Sequence, residues 1–427
     1  MLQKLFGFNA KETTVKTEVM AGISTFLTMA YILAVNPSIL ADAGMDRGAL
    51  FTTTALTAVL ATFLMALYAK MPFALAPGMG LNAFFAYTVC LGMGYSWQFA
   101  LTAVLLEGLI FILLTLTKLR EKMIDLLPTT LKNAIGAGIG LFITLIGLKN
   151  AGVIISNDTT LVTLGDITSA SPLLCLIGLG ITSALLVKNV KGALLWGILL
   201  TTLIGIPMGV THFDRFFSLP PSIAPICMQF EWSQILTTDM AMVVLTFLFV
   251  DLFDTIGTVI GVTNRLADAT GHRTHHIGKI FMVDALATTF GAMMGSSTVT
   301  SYVESTVGVN EGGRSGLTAF VTALCFLLAL FFAPFFLAVP SAATGPVLVL
   351  VGLMMMASIL KVDFSDYSES VPAFVCIIMM PLCSSIADGI ILGHLAYLFI
   401  NFFSANTQKL SAGMYVLGAL FLIRFFL

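Results

Sequence analysis

Charge is what this sequence has least of. Asp, Glu, Lys and Arg together make up 10% of the 427 residues, and the formal net charge is -2. No basic excess or patch is present, which excludes the electrostatic footprint of a nucleic-acid binder. Histidine and cysteine are also scarce, at 5 and 6 residues. Cys90, Cys175, Cys227, Cys325, Cys376 and Cys383 are scattered, mostly within apolar runs, with no metal-ligand or redox spacing, and read as small core fillers. His272, His275 and His276 share a loop with Arg273 and Lys279 and read as a surface cluster, so no metal and no cofactor are expected. Every histidine except His394 lies outside the apolar runs, which leaves a membrane enzyme without a nucleophile–base pair. Residues 1–17 lack the short apolar core and small-residue cleavage site of a signal peptide, so the first apolar run is expected to stay in place.

What is abundant is apolar sequence: 58% of residues, with a mean hydropathy of +1.00. That composition describes a polytopic helical membrane protein whose solvent is the lipid bilayer. Runs long enough to span fall at about 19–40, 49–69, 98–117, 132–148, 171–187, 191–210, 240–262, 279–295, 315–338 and 344–360, by the criterion of ~20 residues. Segments 73–91 and 296–310 are spans only in part, each opening with an extended Gly/Ser/Thr/Pro-rich piece and closing as a short helix. Residues 371–403 exceed one span and are interrupted near Ser384–Gly389, giving two. The total is about fourteen, and 413–427 is expected as a helix against the cytoplasmic side. With the N-terminus inside, all of the 20 Lys and Arg fall on the cytoplasmic side except Arg47, Lys149, Arg215 and Arg424.

The most informative stretch is Ala76-Pro77-Gly78-Met79-Gly80-Leu81-Asn82-Ala83-Phe84-Phe85. It forbids helix at membrane depth, which is tolerated only where protein or a wet cavity surrounds the backbone. A second broken segment, Thr300-Ser301-Tyr302-Val303-Glu304, lies in the other half of the chain. Val19 to Asn82 and Met240 to Glu304 match in length to within one residue. Seven spans per half, an odd number, would turn the second copy upside down. That is the inverted-repeat plan of secondary transporters, with the site where the two broken spans 3 and 10 meet.

Acidic residues inside the apolar runs are the next signal: Glu107, Asp251, Asp254, Asp284, Glu304 and Asp388. A charged carboxylate at mid-membrane costs about 2.5–3.5 kcal/mol on insertion scales, so such groups face a cavity or a partner. No lysine or arginine lies at their depth. Asp251 and Asp254, three apart, share one helix face; they either touch cargo or cap a neighbouring broken span. Glu304 stands at the start of the second half-helix, and Asn82, with donor and acceptor, just past the first break. Glu107, Asp284 and Asp388 read as structural, Glu107 bonding across to the first break and Asp284 tying helices together. Phe84 and Phe253 are candidates for an aromatic wall.

These residues also carry a resemblance. Pro72 to Phe85, Asp251-Leu252-Phe253-Asp254-Thr255-Ile256-Gly257-Thr258, Tyr302 to Val309 and the opening Gly22 to Ile32 resemble the adenine/guanine/hypoxanthine (AzgA-like) branch of the nucleobase–cation symporters, within the xanthine/uracil permease family. The resemblance implies an all-α membrane protein of fourteen spans in two inverted sevens, divided into core and gate domains. The core would take residues 1–131 (spans 1–4) and 240–338 (spans 8–11); the gate would take 132–210 (spans 5–7) and 339–403 (spans 12–14). Residues 211–239 would be the extracytoplasmic linker and 404–427 a membrane-associated helix. It further implies a purine base held by Asn82, Asp254 (shared with Asp251) and Glu304, with the same acids taking the coupling proton. Sodium remains the other coupling ion, and a uracil/xanthine or anion carrier the other reading of the fold. The expected location is the inner or plasma membrane, and two copies would associate through their gate domains.

Overall fold

A computed structural model describes residues 2–117, 128–157, 159–212, 215–270, 277–404 and 406–426. The histidine cluster, the basic run of Lys118, Arg120 and Lys122, and the side chain of Phe253 fall outside the described residues. Among those described, ten helices are long and apolar enough to cross a membrane. In chain order they are spans 1 (Val15–Ala41), 2 (Arg47–Ala69), 4 (Trp97–Leu116), 5 (Thr129–Asn150), 6 (Ala170–Val187), 8 (Thr238–Asp268), 9 (Ile277–Met294), 11 (Gly316–Leu337), 12 (Ser341–Lys361) and 14 (Ile386–Phe403). Two shorter apolar helices, Ala193–Gly205 and Tyr367–Leu382, are spans 7 and 13. The broken spans complete the set: span 3 is strand β1 (Leu75–Pro77) followed by helix Met79–Gly92, and span 10 is a strand (Val299–Ser301) followed by helix Ser305–Asn310. A hairpin, β2 (Ile154–Asn157) with β3 (Leu161–Leu164), decorates the loop after span 5, so the strand of span 10 is β4.

Short polar caps start several spans. Asp46 accepts from the Ala49 N–H at 2.7 Å, Ser96 from Phe99 at 3.1 Å and Ser385 from Asp388 at 3.2 Å. Span 11 has a cap from elsewhere in the chain. Buried Glu18 of span 1 accepts from the backbone N–H groups of Arg314 and Thr318, each at 3.0 Å. Span 1 is split into helices Val15–Met29 and Ile32–Ala41, with a turn at Ala30–Tyr31. Pro37 lies inside the second piece, where its ring crowds the Leu33 carbonyl one turn back and removes one helical hydrogen bond.

The spans pack in two groups. Spans 1–4 and 8–11 contact one another, with span 9 on span 4 and span 11 on spans 1 and 2; spans 5–7 and 12–14 form the second group around the contact of span 5 with span 12. At the seam the backbones come close: a Cβ added at Gly80 of span 3 would stand 2.8 Å from Ile139 Cγ2 of span 5. The linker covers the end of the first group opposite the N-terminus, with Thr52 donating to the Pro221 carbonyl at 2.8 Å and the Met228 N–H to Met293 at 2.9 Å. The closing helix, Ala412–Phe426, does not stand off from the bundle. The Met414 carbonyl lies 3.0 Å from His394 Nε2 of span 14, and the Phe421 ring meets both His394 and Phe249 of span 8.

Candidate functional site

β1 and β4 pair antiparallel, Leu75 opposite Ser301, Ala76 opposite Thr300 and Pro77 opposite Val299. All six residues are buried. A two-stranded sheet has two open edges, and in an apolar interior each unpaired backbone group costs several kcal/mol. Two threonines close them. Thr62 Oγ1 of span 2 accepts from the Leu75 N–H (3.0 Å) and donates to the Leu75 carbonyl (3.2 Å). Thr288 Oγ1 of span 9 accepts from the Val299 N–H (3.2 Å) and donates to the Val299 carbonyl (2.9 Å). Beyond the strands, Gly78 N–H donates to the Thr298 carbonyl, Tyr302 N–H to the Ala74 carbonyl, both at 3.0 Å, and the Tyr302 hydroxyl to the Pro77 carbonyl at 2.5 Å. The breaks in spans 3 and 10 are thus fastened to each other.

A cavity of about 80 Å³ opens at this junction. One side is the turn Gly78–Gly80 that starts the first half-helix; another is Thr300 to Glu304; span 8 contributes Asp254 and Thr258, one helical turn apart; Tyr31 reaches in from the turn in span 1. Val351 and Met355 of span 12 form the wall on the second group of helices. Glycine is needed at 78, because a Cβ there would lie 2.6 Å from Thr300 Cγ2. The same construction puts Asp254 Oδ2 only 3.7 Å away, so its carboxylate faces this turn. Among the described residues that carboxylate has no hydrogen-bond partner, whereas Glu304 Oε1 accepts from the Tyr31 hydroxyl at 2.7 Å.

The expected site residues separate into two sets. Asp254 and Glu304 line the cavity. Asp251, one turn earlier, is fully buried behind β4, where Thr255 Oγ1 lies 3.0 Å from its carboxylate, 3.3 Å from both oxygens of Asp284 and 2.9 Å from Thr300 Oγ1. Asn82 is also fully buried and off the cavity lining; its Oδ1 accepts from the Ser297 hydroxyl, while its amide nitrogen has no partner among the described residues. Phe84 packs edge-to-face on Phe247, centroids 4.7 Å apart, and contributes no cavity wall. Glu107 accepts from Thr298 at 2.6 Å and so braces the second break. Tyr31, Tyr302 and Thr258 were not singled out by sequence. Nothing in the local sequence marks Tyr31 as facing the cavity.

The profile of the permease family, of xanthine/uracil type, matches residues 16–392. The chain belongs to that family. The permease is 42% identical to the adenine permease AdeP of Escherichia coli (strain K12) over 426 residues, covering 99% of this chain and 96% of AdeP. It is likewise 42% identical to the guanine/hypoxanthine permease PbuG of Bacillus subtilis (strain 168) over 437 residues, 99% of each chain. Among solved structures it resembles the transmembrane domain of the cyanobacterial bicarbonate transporter BicA, with a TM-score of 0.66 and 18% identity, over 88% of this chain and 97% of that one. That likeness concerns the fold: the core-and-gate architecture of a membrane transport protein. The permease is accordingly a multi-pass carrier, not an enzyme.

Proposed function

We propose that this permease imports purine nucleobases (adenine, guanine or hypoxanthine) by proton symport, with its N-terminus in the cytoplasm and the bundle in the inner or plasma membrane. The observation that carries the reading is the pair of acids, Asp254 and Glu304, on one small cavity where two broken spans meet. A purine edge offers N–H donors beside ring-nitrogen and carbonyl acceptors. Carboxylates accept from the donors, and the N–H groups that open the first half-helix, which have no intrahelical partner, serve the acceptors. The names of AdeP and PbuG support a purine cargo. An anion carrier is disfavoured by the lining itself, which among the described residues holds two carboxylates and no lysine or arginine.

Coupling follows from the same groups. Bringing an acid into the membrane interior penalises its charged form, so Asp254 or Glu304 is suited to travel with a proton while the base is aboard; Asp251, linked to the site through Thr255 and Thr300, is the reserve candidate. At about 80 Å³ the cavity is small for a two-ring base. Loading therefore needs span 12 to draw back. The polar groups belong to spans 1, 3, 8 and 10 and the facing wall is apolar, an arrangement suited to an elevator-like slide of core against gate. The test is uptake of labelled purines by a transport-deficient strain with and without a protonophore. Accumulation that the protonophore abolishes is the expected result. Accumulation indifferent to pH and protonophore removes the proton, and no purine uptake removes the cargo.

A further inference from the structure

We infer that Tyr31 is a positioning residue for the nucleobase: its hydroxyl occupies one oxygen of Glu304 and aims the other at the cargo. The inference rests on the nucleobase reading of the cavity. Three observations carry it. Tyr31 sits at the turn in span 1, fully buried, and its ring lines the cavity from a different span than Asp254 and Glu304. Its hydroxyl donates to Glu304 Oε1 at 2.7 Å, a well-formed hydrogen bond. Glu304 itself caps the short helix Ser305–Asn310 with helical backbone angles and no side-chain bond to that helix, so the helix does not fix its carboxylate.

A carboxylate with both oxygens free can rotate and accept from the base in several geometries. With one bond from the phenol to Oε1, the carboxylate's rotation is pinned, and the direction in which Oε2 faces the cargo is set by a side chain held rigid in the bundle. The second tyrosine of the site serves as the contrast. Tyr302 donates to the Pro77 carbonyl, a bond between the two broken spans that holds the fold and touches no acid.

The experiment measures uptake kinetics and unfolding midpoints for wild type, Tyr31→Phe and Tyr302→Phe, with cell-surface abundance of each. Removing only the Tyr31 hydroxyl is expected to raise KM about tenfold, equivalent to about 1.4 kcal/mol. Vmax should stay within about twofold and the unfolding midpoint should not move. Tyr302→Phe is expected to lower the midpoint. A Tyr31→Phe permease with wild-type KM overturns the inference, as does one whose midpoint and Vmax fall together at unchanged KM. Wild type that takes up no purine overturns the nucleobase reading, and this inference with it; a failure confined to the Tyr31 variant leaves that reading intact.

Discussion

Thr62 and Thr288 stand on opposite edges of the β1–β4 pair, and each hydroxyl both accepts from and donates to the backbone of one strand residue. They come from spans 2 and 9, which hold equivalent positions in the two halves. A hydroxyl has one hydrogen and two lone pairs, so it alone of the small side chains can fill both needs. Thr62→Val and Thr288→Val keep the shape and remove the bonds. Each is expected to cost about 1–3 kcal/mol for every backbone group left unpaired, while the serine variants stay near wild type. Thermal unfolding in detergent is the measurement, and a valine variant as stable as wild type would contradict the assignment.

Asp251 and Asp254 should separate cleanly by phenotype. Hydrogen bonds to charged groups are worth about 1.5–3 kcal/mol, so Asp254→Asn is expected to lower the kcat/KM of uptake by about ten- to hundredfold at unchanged stability. Asp251→Asn, in the cluster with Thr255 and Asp284, should lower the unfolding midpoint first. The reverse pattern would exchange their roles.

The two helix groups are bridged at both ends. Near the N-terminal face, Lys191 Nζ after span 6 meets Glu311 Oε1 after span 10 at 2.7 Å. At the other face, Asn150 of span 5 donates to Asp42 (3.1 Å) and to Tyr87 (2.8 Å). An exposed pair contributes about 0.2–1 kcal/mol, enough to bias a rate without blocking it. Lys191→Glu is expected to change the uptake rate at saturating base by less than about fivefold, and the double swap with Glu311→Lys to restore it at low salt. Failure of the swap to restore would remove the bridge from the transport cycle.

Outside the membrane, Lys409 Nζ meets Asp366 at 3.0 Å and Glu369 at 2.8 Å. The Ser368 hydroxyl first, then the Lys409 ammonium, lower the Asp366 carboxyl to about 2 from its ordinary 3.8. A lowered acid stabilises the fold above its ordinary value and loses that contribution as pH falls through its folded one. The contact should therefore persist down to pH 4 and fade towards pH 2. A carboxyl NMR titration checks this, and Lys409→Ala should move the midpoint part of the way back to 3.8.

Much of the plan was readable from the chain. Spans follow from apolar length, the breaks from Pro77, Gly78 and the Gly/Ser/Thr run at 295–301, and the acids from their rarity. What sequence could not resolve is angular. Asp251 and Asp254 are three positions apart, yet that rotation moves one carboxylate from the cavity to the rear of β4. Asn82 and Phe84 lie a turn or more beyond Gly78, which carries both past the opening. The Tyr31–Glu304 contact joins positions 273 apart, and nothing local announces it. The β2–β3 hairpin, with most of its residues exposed, has no apolar alternation to reveal it.

The fastening of β1 to β4 has one more effect. The starts of both half-helices are knitted into a single ribbon, so the proposed seat has no exit between the two breaks. On the proposed transport reading departure is lateral, past Val351 and Met355, and the stiffness of span 12 sets the tempo of unloading.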